Sequence, residues 1–235
     1  MLSNESDFNS MGFLGNDVQT IRSEMEKTYR WLFEPACEIN SYCEKLKYQF
    51  NVQESNKPHF IILMLTVRIL DLCQSTILMS SYKNTMSAGG LMRSIVETYI
   101  QLISSIMNRS VENSDILSSY KDALKYINLA KYTKMQSEYD VYYRTFSKYT
   151  HTSTQSINEY FDISTNGSTV EKISRLNFKE HILIMILESV IRILQDSFLK
   201  SAECFNIKFN EIENIKETYS KFKNKFAKHI QNNEN

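Results

Sequence analysis

Residues 60–79 read FIILMLTVRILDLCQSTILM. The run is longer than the roughly 3–10 residues of an ordinary strand. Its apolar residues surround a helix almost completely, which is the pattern of a central core helix or a membrane span. Arg68 and Asp71 interrupt it, so it falls short of the roughly 18 uncharged residues that a span needs. The run Ile182–Leu194 is interrupted in the same way by Glu188 and Arg192. Both predict buried helices of a soluble bundle, with no membrane partner.

Working outward, a second core helix is predicted over about 85–108. Ala88, Gly89 and Gly90 near its start permit close backbone approach; no GK[ST] follows, so they form no phosphate loop. A third is predicted over about 178–205. From Asp17, the residues Val18, Ile21, Met25, Tyr29, Leu32, Ala36, Ile39, Cys43, Leu46 and Phe50 recur every three or four positions. That is the stripe of one long N-terminal helix. Pro35 lies inside it and predicts a kink or short break there, because proline lacks the N–H and crowds the preceding turn.

Residues 51–58 read as a loop, Ser114 or Asp115 as the cap of a helix ending near Tyr132, and 137–151 as a further helix. STNGST, 164–169, is the clearest loop. The tail, about 210–230, carries Ile212, Ile215, Tyr219, Phe222, Phe226 and Ile230. This stripe either docks on the bundle or pairs with a second copy. No segment alternates at period two. The expectation is an all-α single helical bundle of five to seven helices. Residues 1–16 form an N-terminal arm, 17–235 one domain, and 206–235 its amphipathic tail.

Composition supports this. The 235 residues include only 2 Pro and 5 Gly, too few for the turns of a sheet-rich fold. Lys+Arg and Asp+Glu are 27 each, so bulk charge cannot hold the chain to nucleic acid; a local patch would be needed. The polar, acidic N-terminus does not read as a secretory leader. Cys37, Cys43, Cys73 and Cys204 form no CxxC and are expected as reduced, mostly buried thiols in a cytoplasmic protein.

Metal chemistry has no support. None of His59, His151, His181 and His229 follows a Glu by three residues, and HExxH is absent, so no metal and no cofactor is expected. Charges inside apolar helices are more informative. Arg68 and Asp71 lie three apart, Arg93 and Glu97 four apart, and Glu188, Arg192 and Asp196 follow at intervals of four. Buried ions must be paired. They are either pins between helices or the lining of a polar pocket.

The segment YYRTFSKYTHTSTQS, 142–156, is the richest polar patch. On a helix, Arg144, Ser147 or Lys148, and His151 share one face. Arginine can hold a phosphate and histidine can move a proton near neutral pH. Arg144-x6-His151 fits the R-x(4–6)-H pattern of the HEPN superfamily of all-helical nucleases, and Arg175-x5-His181 is a second match. Chance alone gives roughly 0.4 such matches at this content of His and Arg.

Two motifs taken together separate the matches. Leu91, Arg93, Ser94 and Glu97 spell L-x-R-S-x-x-E; Tyr143, Ser147, His151 and Ser153 spell Y-x-x-x-S-x-x-x-H-x-S. In this order the chain resembles the domain of unknown function 5677 family over about residues 60–200. That resemblance implies a helical bundle and no established activity.

Two function classes follow. One is a HEPN-type, metal-independent ribonuclease, such as a toxin or antiphage effector. His151 and Arg144 would be catalytic, and Ser147, Lys148, Arg93 and Glu97 would bind single-stranded RNA. Such sites are usually composite across a two-fold, so a homodimer is implied. The other is a non-catalytic interaction module with an unknown partner protein, in which the same polar sets only build the bundle.

Overall fold

The computed structural model describes residues 18–52, 56–107, 130–131, 133–143, 145–147, 161–163, 170–173 and 180–233. Its elements are α1 (Val18–Thr28), α2 (Arg30–Lys47), α3 (Lys57–Ser81), α4 (Thr85–Met107), a single-turn α5 (Gln136–Glu138), a π-helical segment (Tyr139–Tyr143), β1 (Phe161–Ile163), β2 (Val170–Ile173), α6 (Glu180–Cys204) and α7 (Asn210–Asn233). The chain is an all-α bundle; its described residues form seven α-helices, the π-helical segment and one small antiparallel ribbon.

Helices α2, α3, α4 and α6 enclose one core. Ile39 and Leu46, Ile69 and Leu70, Met92 and Ile95, and Leu183 and Leu194 are all fully buried. Local chemistry sets the helix ends. The Asn56 side chain accepts from the His59 N–H at 3.4 Å, and Pro58 sits in the first turn of α3. Asn84 accepts from the Ser87 N–H at 3.0 Å and so caps α4. The tight α3–α4 turn needs Lys83 in the left-handed region, at φ 59°. Across the core, the Thr66 and Ser201 hydroxyls meet at 2.7 Å, joining α3 to α6.

Three expectations change. The long N-terminal helix does break, but at Tyr29 rather than Pro35. Proline crowds the carbonyl four residues back, so the distortion is relieved upstream, between one and two turns before it. Next, Arg68 and Asp71 are not pinned inside the bundle; both face solvent on α3. Helix α3 is accordingly less buried than α4 and α6, and it exposes Phe60, Met64 and Leu78. Finally, 161–163 and 170–173 pair as strands, with Phe161 opposite Ile173 and Asp162 opposite Lys172. Strands this short carry too few residues for period-two alternation to show.

Of the two readings of the tail, docking holds. Helix α7 lies along α2 and buries Ile215 and Phe222. Trp31 meets Phe226 at 6.3 Å and His229 at 4.5 Å. Cys43 and Cys73 are buried, Cys204 is half-buried and Cys37 is exposed, all as free thiols. Among the described residues, α3 is the one helix long and apolar enough to cross a membrane by length and composition. The N-terminal arm, the 164–169 loop and, apart from 130–131, the helix ending near Tyr132 lie outside the described residues.

Candidate functional site

The polar residues singled out in the sequence meet where α4, α6 and the π segment pack together. Helical spacing places Arg93 and Glu97 on one face of α4, and Arg93 Nε donates to Glu97 Oε1 at 3.1 Å. Their side chains keep 24% and 21% of their exposure, so the pair is half-buried rather than enclosed. The same arrangement recurs on α6, where Arg192 Nε lies 3.7 Å from Glu188 Oε1.

The π segment YDVYY links the two pairs. Its wider turn sets Tyr139 nearly over Tyr143, with ring centroids 4.4 Å apart and planes 14° from parallel. Tyr143 then lies under Arg93, whose guanidinium carbon is 4.9 Å from the ring centre. Tyr142 turns the other way. It lies 5.0 Å under Arg192 and donates its hydroxyl to Glu188 Oε2 at 3.4 Å. Neighbouring tyrosines thus bridge two helices. One level along, the Tyr99 hydroxyl of α4 donates to the Asp196 carboxylate of α6, which also holds Lys200 at 2.7 Å.

Electrostatics follow from this geometry. Burial works to lower the Arg93 pKa, but the Glu97 hydrogen bond and the Tyr143 phenol raise it overall. Arg192 is raised in the same way, with burial opposed by Tyr142 and Glu188. Burial pushes the Tyr139 phenol up to about 12, helped by Tyr143. Glu188 stays above the usual carboxylate range because burial outweighs Arg192, Tyr142 and Ser189. On α7, Tyr219 is raised by burial and then by the Glu188 charge. The Glu188 side of the junction therefore extends to the tail helix.

Of the six residues selected from sequence, Arg93 and Glu97 lie in this junction. Ser147 is half-buried beside Phe146, which is fully buried and stacked near Tyr142 at 6.4 Å. Arg144, Lys148 and His151 lie outside the described residues, as does Arg175; His181 is exposed at the start of α6. The sequence reading missed Tyr139, Tyr142 and Tyr99. The tyrosine-rich YDVYY was the available signal, but an α-helical reading of 137–151 concealed which helix each ring faces. Among the described residues no group of three or more His, Cys, Asp or Glu is placed to hold a metal ion.

The model of a family of unknown function (DUF5677) matches residues 104–169. The match is narrower than the 60–200 span of the motif resemblance. It contains Tyr143, Ser147, His151 and Ser153, and leaves Leu91, Arg93, Ser94 and Glu97 outside. No curated protein and no solved structure matches this chain. None of the comparisons supports the remoter HEPN likeness.

Proposed function

We propose that this chain is a non-catalytic helical interaction module, in which the Arg93/Glu97 set braces the bundle. One observation carries the reading. Arg93 and Glu97 bond to each other, and Arg93 is covered by Tyr143, so both heads are engaged before any substrate arrives. Glu188 and Arg192 repeat the design with Tyr142. The tyrosines set on these pairs join α4 and α6 to the π segment, whereas a phosphate-binding guanidinium turns its donors to the ligand. The zero net charge agrees with this reading.

The second reading is the HEPN-type ribonuclease of a toxin or antiphage effector. It rests on the Arg144-x6-His151 spacing, and both residues lie within the matched span 104–169. There Arg144 would hold the scissile phosphate and His151 would move the proton of the attacking 2′-hydroxyl. One experiment separates the two: single-stranded RNA incubated with chelator-treated protein, wild type beside His151→Ala, Arg144→Ala and Arg175→Ala. The module reading expects no cleavage by any of them. Wild-type cleavage leaving 2′,3′-cyclic phosphates, lost in His151→Ala and Arg144→Ala but kept in Arg175→Ala, would replace it with the nuclease.

A further inference from the structure

The open face of α3 carries two opposite charges at its centre. Lys57, Phe60, Met64, Arg68, Asp71, Ser75 and Leu78 are its exposed positions. At 3.6 residues per turn they fall within an arc of about 80°, and Phe60 to Leu78 run for about 27 Å. Phe60, Met64 and Leu78 keep 38%, 54% and 41% of their exposure, so three large apolar side chains of the stripe stay partly in water. Arg68 and Asp71, opposite in sign, sit at the centre of the stripe, and Lys57 lies at its N-terminal end. Lys47 of α2 lies within electrostatic reach of Asp71 but is held by Glu44. Among the described residues, Arg68 and Asp71 form no ion pair with each other or with a neighbour.

We propose that this face docks on a second copy of the chain, with the two α3 helices antiparallel and Arg68 of each copy against Asp71 of the other. The order of residues selects this partner. A two-fold axis between Arg68 and Asp71 sets Met64 opposite Ser75 and brings Phe60 to within one residue of Leu78. Arg68 and Asp71 then each meet an opposite charge, and Phe60 and Leu78 cover each other at the two ends. A parallel pairing would instead set arginine on arginine. Two-fold contacts of this self-complementary kind are the commonest in soluble homo-oligomers. A groove of about 650 Å³ runs beside the stripe between α3 and α4, lined by Val67, Glu97 and Gln101 among others. The proposal rests on the interaction-module reading in naming that module's partner.

The test is sedimentation equilibrium on the full chain, with circular dichroism to confirm that each variant keeps its helices. Wild type is expected to form a concentration-dependent dimer. Arg68→Glu and Asp71→Arg, each placing like charges together twice, are expected to weaken it at least about tenfold. An equimolar mixture of these two variants is expected to dimerise as wild type does, because the new glutamate then faces the new arginine. Met64→Glu is expected to give monomers. A wild type that stays monomeric at about 100 μM, well above the micromolar range of weak specific contacts, would overturn the proposal. So would a dimer indifferent to both charge reversals, or a monomer that floats with phosphatidylcholine vesicles. A dimer that cleaves RNA would defeat the module reading alone, and a monomer that does not cleave would defeat this proposal alone.

Discussion

The Arg93 guanidinium lies 4.9 Å from the centre of the Tyr143 ring, which joins two motifs fifty residues apart in the chain. Arg93 belongs to the L-x-R-S-x-x-E helix, and Tyr143 opens the Y-x-x-x-S segment. The contact explains why an arginine is tolerated on an apolar helix. Glu97 neutralises one edge of the guanidinium and an aromatic face covers another.

Glu97→Ala is therefore expected to cost about 1–2 kcal/mol, between the values for exposed and enclosed pairs, since about a fifth of each side chain stays wet. Tyr143→Leu is expected to cost about 1 kcal/mol through loss of the cation–π contact. Urea denaturation checks both. A loss of 3 kcal/mol or more in Glu97→Ala would show that the pair is enclosed after all.

Glu188 gives a pH dependence with a definite sign. Burial raises its carboxyl above the ordinary value of 4.5, so the folded state binds this proton more tightly than the unfolded chain. Its contribution to stability is present below 4.5 and is lost as the pH rises through the raised value. Wild type is expected to lose stability relative to Glu188→Gln over that window and to run parallel to it at higher pH. Denaturation of both proteins across the window checks this. A wild type that gains on the variant as pH rises would reverse the sign.

Thr66 and Ser201 differ in what their removal leaves behind. The Thr66 hydroxyl donates to the Ile62 carbonyl at 2.7 Å and meets Ser201 at 2.7 Å, with both side chains fully buried. Ser201→Ala leaves Thr66 still bonded and is expected to cost about 1 kcal/mol; Thr66→Val strands the Ser201 hydroxyl and is expected to cost about 2 kcal/mol. The double variant is expected to cost less than the sum. Additive losses in a double-mutant cycle would show that the two hydroxyls act independently.

Docking of α7 is open to a direct optical test. Trp31, the single tryptophan, touches Phe226 and His229 on that helix. Phe222, 2% exposed, anchors the same contact. Phe222→Ala is expected to cost about 3 kcal/mol and to shift Trp31 emission toward that of a water-exposed indole. An unchanged emission spectrum would mean that the tail does not depend on this anchor.

Much of this architecture is legible in the chain itself. Apolar spacing in FIILMLTVRIL, in LMRSIVETYIQLI and in the stretch after 178 specifies the three central helices, because a helix buries one stripe or all of its surface according to that pattern alone. The 3.6-residue period also pairs Arg93 with Glu97 and Glu188 with Arg192. What the period cannot specify is which face of a helix meets another helix. Arg68 and Asp71 look as enclosed in the sequence as Glu188 does, yet they face solvent, because packing against α1, α2, α4 and α6 leaves their face of α3 open. Likewise, only the packed structure turns Tyr142 toward α6 and Tyr143 toward α4, because the π turn redirects adjacent rings. The sequence by itself determined an all-α bundle and its intrahelical ion pairs, which are local. The tertiary structure decided the interhelical partners and the open stripe of α3, because these depend on contacts between residues far apart in the chain.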